Sequence, residues 1–182
     1  MTHELQQIIQ AAIQNQASGK KSVLATVVDL EGSSYRKPGV RMLLTDEGEM
    51  IGAVSGGCVE KEVLRRAQSV FSNGESKVMV YDGRYRLGCE GSLYILIEPF
   101  YVSDDLKEVF FQNIEDRSSF EIKSFFKRED DCVGNFGSVI SFNDIKTYTF
   151  SNSFVLSSLE EGLKTFAQTL PPCFKLLIIG GE

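Results

Sequence analysis

Apolar side chains recur along this chain with two different periods, and each period predicts a different kind of element. Over residues 4–16 they return every three or four positions, as on the buried face of an α-helix. The same spacing recurs over 59–72 and 104–115, and acidic residues lie in the first turn of both stretches. The pattern therefore predicts three amphipathic helices.

Shorter stretches are apolar and β-branched, or alternate between apolar and polar residues, as strands do. They are 22–30, 42–45, 50–54, 77–81, 93–98, 120–127, 137–142, 146–150, 154–156 and 165–170. The last five follow one another without a helical stretch, which favours antiparallel pairing there. Helices interleaved with strands predict an α/β (α+β) fold, with a mixed β-sheet and flanking helices in a single compact domain.

Two adjacent prolines mark the expected end of this domain. Pro171 and Pro172 form a stiff segment, so we expect a compact domain over 1–170. A continuous apolar run at 176–179 then leads into Gly180. Such runs are typical of strands that are buried on both faces of a parallel sheet. Residues 171–182 are therefore predicted to be a linker and the first strand of a truncated second domain.

Composition narrows the class of protein. The 182 residues are 42% hydrophobic and 24% charged, with a net charge of −6 and a pI near 5.0. That charge argues against a general nucleic-acid-binding protein, which would be basic. No apolar run approaches the roughly 20 residues of a membrane span, and no secretion signal is evident. We expect a cytoplasmic protein that binds neither nucleic acid nor membranes.

The histidine and cysteine content excludes several kinds of site. His3 is the only histidine, so neither a Ser-His-Asp or Cys-His catalytic group nor a histidine-ligated zinc site can be built. Of the four cysteines, none forms a C-x-x-C pair. Cys132 and Cys173 lie outside glycine turns and are predicted to be structural.

The most distinctive chemistry lies in a glycine turn at 52–60. A short apolar strand leads into Gly56 and Gly57, and a helix begins at Cys58. Backbone N–H groups at a helix N-terminus favour anions and lower the pKa of a thiol there. Cys58 is thus a candidate nucleophile or metal ligand beside a candidate anion site, although a small buried side chain is the competing interpretation.

Two further loops carry compatible chemistry. A second glycine–cysteine turn at 87–91 contains Cys89, for which a structural role is again the alternative. The loop 31–41 combines hydroxyl groups with Arg36, Lys37 and Arg41, a set suited to holding phosphate or carboxylate, or else an ordinary solvated loop. Because anion binding and thiol chemistry act together only on one ligand, we expect the three loops to meet at one pocket.

With these residues in view, the chain resembles the N-terminal domain of the xanthine dehydrogenase accessory (XdhC/CoxI) family. The matching motifs occur in order at 32–42, 52–60, 87–91 and 97–99. The resemblance extends over about residues 5–100, weakens over 101–170 and returns at Pro171, where the family's Rossmann-like second domain begins. One departure is Glu90, where the family often has glycine.

This resemblance implies a maturation factor that binds molybdenum cofactor (molybdopterin) for delivery to a molybdenum hydroxylase apo-enzyme, such as xanthine dehydrogenase or carbon monoxide dehydrogenase. It favours a non-catalytic cofactor chaperone over an enzyme, with a cysteine desulfurase or a second copy of the chain as further candidate partners. Cys58 and Cys89 are the candidate metal ligands. The candidate cofactor-binding residues are Ser33, Ser34, Arg36, Arg41, Ser55, Gly56, Gly57, Cys58, Glu60, Gly88, Cys89 and Gly91.

Two other functions remain open on the sequence. A cysteine-dependent redox or sulfur-transfer enzyme would use Cys58 and Cys89, although no histidine base accompanies them. A docking module for the target dehydrogenase would need no cofactor contact. Uptake of a pterin by the protein would indicate a cofactor chaperone and is expected of neither alternative.

Overall fold

The computed structural model has three helices among the residues that it describes. The side chain of Cys58 is not among the described parts. The described residues are 1–34, 37–55, 57–83, 91–142 and 146–175. The helices are α1 (Thr2–Ala17), α2 (Cys58–Asn73) and α3 (Asp104–Glu115). All three coincide with the predicted amphipathic stretches, so those predictions are confirmed.

The strands of the described residues form two antiparallel sheets. The six-stranded sheet has the order β3-β2-β1-β5-β4-β7, and the four-stranded sheet has the order β10-β6-β8-β9. The strands are β1 (Ser22–Glu31), β2 (Arg41–Thr45), β3 (Met50–Gly52), β4 (Lys77–Asp82), β5 (Ser92–Pro99), β6 (Phe120–Phe126), β7 (Cys132–Val133), β8 (Gly137–Phe142), β9 (Lys146–Thr149) and β10 (Lys164–Leu170).

The predicted fold class is confirmed, while the sheet arrangement differs from the single mixed sheet that was expected. Every strand pair in the described residues is antiparallel. Helix α2 does connect two strands that run in the same direction, β3 and β4. Three strands, β2, β1 and β5, lie between them, so the crossover creates no parallel pair.

The two faces of the six-stranded sheet pack against different partners. Ala25 and Val27 belong to the apolar cluster that contains the buried stripe of α2. Leu24 and Val28, which alternate with them along β1, belong to clusters shared with the four-stranded sheet. The six-stranded sheet therefore lies between α2 on one face and the four-stranded sheet on the other. Apolar residues of α1 and α3 belong to the core that the two sheets share.

Two smaller sequence predictions have different outcomes. The strand expected at 154–156 is wrong, because a 3₁₀ turn spans Leu156–Ser158. The Asn135 side chain bonds the N–H and carbonyl of Val155 and the carbonyl of Ser158, supplying partners that a strand would otherwise need. The apolar run 176–179 lies outside the described residues. No helix in the described part is both long and apolar enough to cross a membrane.

Candidate functional site

The strand directions bring the three motif loops to one end of the six-stranded sheet, which we call the motif end. Strands β1, β3 and β4 finish at this end, whereas β2 and β5 start there, because each neighbouring pair is antiparallel. Helix α2 also begins at this end, since it follows β3 directly. The loop after β1, the turn after β3 and the connection from β4 to β5 therefore leave the sheet side by side.

Gly91 joins two of these loops through backbone contact. A Cβ atom added at Gly91 would lie 2.6 Å from the carbonyl oxygen of Glu31, and 2.7 Å and 2.9 Å from the backbone O and N of Ser33. The carbonyl of Gly91 also accepts a hydrogen bond of 3.0 Å from the N–H of Gly83. Gly91, the last residue of the second cysteine motif, thus lies against the loop that follows β1 and has no room for a side chain.

Glu60 holds the first cysteine turn from within. One carboxylate oxygen accepts a 2.7 Å hydrogen bond from the N–H of Ser55. The other accepts from the Ser55 hydroxyl at 3.0 Å and from the N–H of Gly57 at 2.8 Å. Glu60 is only 7% exposed. The carboxylate therefore closes the turn by bonding the chain before and at the start of α2.

The charge state of Glu60 is determined by two opposing effects. Burial by itself would raise the pKa of this carboxyl group. Hydrogen bonds from its own N–H and from Ser55 and Gly57 outweigh burial, so the pKa lies below its ordinary value. Glu60 is thus an anion at neutral pH, and the turn already contains one negative group.

Gly57 shapes the entrance to this turn. It precedes α2 with a φ of 119°, which side-chain-bearing residues rarely adopt. A Cβ atom placed there would meet no atom within 4 Å. The side of Gly57 that a side chain would occupy therefore faces open space, while its N–H is bonded to Glu60. Cys58 is the first residue of α2, as the sequence predicted.

Arg41 has a different environment from the other candidate residues. It pairs with Thr26, so its side chain shares the sheet face that lies opposite α2. Arg41 is 8% exposed, and its Nη1 donates to the carbonyl of Gly39 at 2.9 Å and to Gln168 Oε1 at 2.7 Å. Its Nε and Nη2 have no hydrogen-bond partner among the described residues. A cofactor-binding role for Arg41 stays a prediction, and the sheet separates it from α2.

Glu98 is a buried residue of this inter-sheet region that sequence reasoning did not single out for chemistry. It is fully buried, and its two carboxylate oxygens accept 2.6 Å and 2.8 Å hydrogen bonds from the hydroxyl and N–H of Ser138. Burial raises the pKa of Glu98 to about 7, although the Ser138 bonds and Arg41 act in the opposite direction. Burial also lowers the pKa of Arg41 to about 10. The sequence signal that could have identified Glu98 is a charged residue at the end of an otherwise apolar predicted strand.

The remaining candidate residues divide into two groups. Six described residues lie at the motif end: Ser33, Ser34, Ser55, Gly57, Glu60 and Gly91. Others lie outside the described part of the chain: Arg36, Gly56, Gly88, Cys89 and the side chain of Cys58. The meeting of all three loops at one pocket accordingly stays a prediction beyond the contact between Gly91 and Ser33.

A cavity of about 590 Å³ lies at the other end of the six-stranded sheet. It is bordered by Gly19 after α1, Ser22 at the start of β1, Gly74 directly after α2 and Pro99 at the end of β5. No described residue of the cysteine motifs lines it. This cavity therefore belongs to a different part of the molecule from the motif end.

The two cysteines outside the motifs have ordinary surroundings. Cys132 is partly buried, and burial raises the pKa of its thiol, with Glu129 acting in the same direction. Cys173 is exposed. In the described residues, no three His, Cys, Asp or Glu side chains are grouped so that they could hold a metal ion. The assignment of Cys58 and Cys89 as metal ligands remains a prediction.

Comparison with known proteins bears directly on these motifs. Residues 15–82 match the model of the XdhC and CoxI family. The resemblance to the XdhC/CoxI family is confirmed. The matched segment contains the loop after β1 and the first cysteine turn, and it ends before the second cysteine turn.

Two curated proteins are related to this XdhC/CoxI-like chain. One, from Bacillus subtilis, is named as a probable subunit of xanthine dehydrogenase, and it is 38% identical over 87 residues. The other, from Escherichia coli, is named molybdenum cofactor insertion chaperone PaoD and is 32% identical over 81 residues. These matches span 43% and 44% of this chain but only 26% of each relative.

A solved structure supports the fold. A crystal structure from Bacillus halodurans, described as a xanthine dehydrogenase, superimposes with a TM-score of 0.61 at 23% identity. The alignment covers 90% of this chain and 52% of the other. The XdhC/CoxI-like chain thus shares its architecture with about half of that protein.

Proposed function

We propose that this protein is an accessory factor that binds molybdenum cofactor and assists its insertion into a molybdenum hydroxylase. The observation that carries the proposal is the position of the motif loops at one end of one sheet, with Gly91 in backbone contact with the loop at Ser33. The family match and the relative named as a cofactor insertion chaperone support the same function.

The donor set at the motif end suits such a cofactor. Gly57 leaves open space at the start of α2, although its N–H is bonded to Glu60, and the exposed Ser33 offers a hydroxyl group. Cys58 and Cys89 would supply sulfur, which molybdenum accepts as a ligand. The cofactor, when bound, supplies the metal and its dithiolene to the client enzyme. This chain's residues hold and orient it, and we assign them no catalytic step.

The proposed partner is the apo-form of a molybdenum hydroxylase of the xanthine dehydrogenase type. The Bacillus subtilis relative, whose name refers to xanthine dehydrogenase, supports this class of client. A cysteine desulfurase and a second copy of the chain remain further proposed partners.

The test is gel filtration of the purified protein after incubation with molybdenum cofactor. We expect pterin fluorescence and molybdenum, measured by mass spectrometry, to elute together with the protein. Elution without either would contradict the proposal. Capture of the apo-hydroxylase without pterin would instead favour a docking module, and persulfide on Cys58 or Cys89 without pterin would favour sulfur transfer.

The site itself can be tested with two matched cysteine variants. Cys58→Ser keeps the size of the side chain and removes the soft ligand, whereas Cys132→Ser does the same away from the motif end. We expect Cys58→Ser to retain less molybdenum after gel filtration than Cys132→Ser does. Equal retention by the two variants would assign Cys58 a structural role.

A further inference from the structure

Arg41 and Thr26 place three unpartnered polar atoms between the two sheets. The two residues pair directly across β2 and β1, so their Cβ atoms lie about 5 Å apart on the same face of the sheet. Both residues are buried, with exposed fractions of 8% and 0%. Nε and Nη2 of Arg41 and Oγ1 of Thr26 have no hydrogen-bond partner among the described residues. Because buried polar atoms are nearly always bonded, these three atoms form a candidate binding site.

The unpartnered edge of the Arg41 guanidinium group is suited to a planar anion. The remaining nitrogen, Nη1, already donates to the carbonyl of Gly39 and to Gln168. Nε and Nη2 donate in parallel, in a geometry that matches the two oxygens of a carboxylate. The neighbouring Thr26 hydroxyl can donate a third hydrogen bond. The three donors together fit one small oxyanion.

The charge of Arg41 favours an anion over a water molecule at this site. Glu98 acts on Arg41 electrostatically, but both of its carboxylate oxygens accept hydrogen bonds from Ser138 on the other sheet. No ion pair of Arg41 occurs within the described part of the chain, and a buried unpaired charge is costly. Water could bond the donors but would leave the charge uncompensated, whereas an anion would do both.

A cleft beside these residues offers a route from solvent. Its volume is about 450 Å³, and Val28 and Phe166 are among the residues that line it. Val28 follows Thr26 by two positions on β1, and both side chains face the four-stranded sheet. Phe166 precedes Gln168, the partner of Arg41, by two positions on β10. The cleft therefore lies about one layer of side chains away from the unpartnered donors.

We propose that Arg41 and Thr26 form an internal binding site for a small planar oxyanion of the carboxylate type, held between the two sheets. Nε and Nη2 of Arg41 donate to its two oxygens, and the Thr26 hydroxyl donates to one of them. The inference goes beyond the proposed function, because this site lies on the face of the sheet that is turned away from α2. It gives Arg41 a ligand other than the molybdenum cofactor.

Sodium formate, the smallest carboxylate, is the probe for this site. It is titrated into the full chain carrying ¹³C in its threonine methyl groups, and we expect the NMR signal of the Thr26 methyl group to shift until the site is saturated. Sodium nitrate, which is also planar and monovalent, should compete with formate. Sodium chloride at the same ionic strength should not, because a spherical ion does not match the paired donors of the guanidinium edge.

Two variants test the donors, with the affinity for formate measured by saturation transfer to the formate proton. Arg41→Lys keeps the positive charge but loses the paired donors, so we expect its dissociation constant to rise about tenfold. Thr26→Val is similar in size and lacks the hydroxyl group, so we expect a rise of about threefold.

Thr45→Val is the matched control. Thr45 is also a buried threonine of the six-stranded sheet, but its hydroxyl already accepts a hydrogen bond from the N–H of Glu49. We expect Thr45→Val to bind formate as tightly as the wild-type protein does. If Arg41→Lys does not fold, the comparison of Thr26→Val with Thr45→Val still decides.

Three results would each overturn the proposal: a Thr26 methyl signal that formate does not shift, competition by chloride equal to that by nitrate, or unchanged formate affinity in the folded Arg41 and Thr26 variants. Failure of this proposal is distinct from failure of the proposed function. The formate experiments contain no cofactor, and the uptake of molybdenum cofactor in gel filtration does not depend on whether formate binds between the sheets.

Discussion

Single residues decide how closely the motif loops approach one another. Gly91 has no space for even a methyl group, because the three atoms nearest to an added Cβ all belong to the backbone of Glu31 and Ser33. Gly57 has ample space and is needed instead for its positive φ. The two glycines therefore serve opposite purposes, one for close packing and one for conformation.

At Gly91 we expect Gly91→Ala to lower the free energy of unfolding by about 1–3 kcal/mol, as overpacking against atoms that cannot move usually does. Urea unfolding followed by circular dichroism measures the loss. Gly48→Ala is the comparison, because a Cβ at Gly48 meets no atom within 4 Å. The stability of that variant therefore reports only the effect of the positive φ at residue 48. A Gly91→Ala variant as stable as the wild-type protein would show that the two loops separate easily.

At the scale of elements, α2 and α3 begin in different ways. Helix α3 has a conventional cap, in which the Ser103 hydroxyl accepts a hydrogen bond of 3.2 Å from the N–H of Leu106. Helix α2 instead has Gly57 as its N-cap, and the Glu60 side chain reaches back to the N–H groups of Ser55 and Gly57. The two starts thus differ in their acceptor, which is a serine hydroxyl before α3 and a carboxylate from the first turn of the helix itself in α2.

The cap of α3 gives an element-scale prediction. Ser103→Ala removes the acceptor for the Leu106 N–H and should cost about 1 kcal/mol of unfolding free energy. Ser103→Asp should restore most of the loss, because aspartate also caps helices. Ser119→Ala, a serine outside the helix, is the control in the same urea titration. Equal stability of Ser103→Ala and Ser119→Ala would mean that the cap contributes nothing.

At the scale of the whole molecule, Glu98 connects the two sheets. It lies on β5, and both of its oxygens bond Ser138 on β8. Ser138 in turn shares a 2.8 Å hydrogen bond with Ser124 on β6. Because its burial raises the pKa of Glu98 to about 7, the connection carries a pH dependence.

Whether stability rises or falls with pH follows from the direction in which the pKa of Glu98 is shifted. A carboxyl group with a raised pKa contributes stability that is complete below its unfolded value of 4.5 and is lost as pH rises through about 7. The loss is on the order of 3 kcal/mol, since each pKa unit corresponds to about 1.4 kcal/mol. We expect Glu98→Gln to be close to the wild-type protein in stability near pH 5, where Glu98 is protonated and the amide resembles the neutral acid, and to become more stable than the wild-type protein toward pH 8.

Urea unfolding at several pH values between 5 and 8 measures this difference. The exposed Glu108, replaced by glutamine, is the control and should show a constant offset from the wild-type protein across the range. If the Glu98→Gln and wild-type curves are parallel, Glu98 keeps one charge state throughout and does not carry the pH dependence.

The sequence by itself determined the three helices, most of the strands and the location of the unusual chemistry, because these depend on neighbouring residues. Apolar spacing within 4–16, 59–72 and 104–115 is enough to specify a helix. Gly57 and Cys58 indicate a turn and a helix start through conformational freedom and chain order alone. The motif order also carried the resemblance that the match over 15–82 confirmed.

The tertiary structure alone decided which side chains meet. Arg41 is hydrogen-bonded to Gln168, which is 127 residues away in the sequence. The face of the sheet on which Arg41 lies depends on strand register, which local periodicity does not determine. The pairing of Glu98 with Ser138 and the division into two sheets arise in the same way. Even Glu60, interpreted as a ligand from its motif, is committed to Ser55 and Gly57 because the folded turn places its carboxylate within hydrogen-bond reach of them.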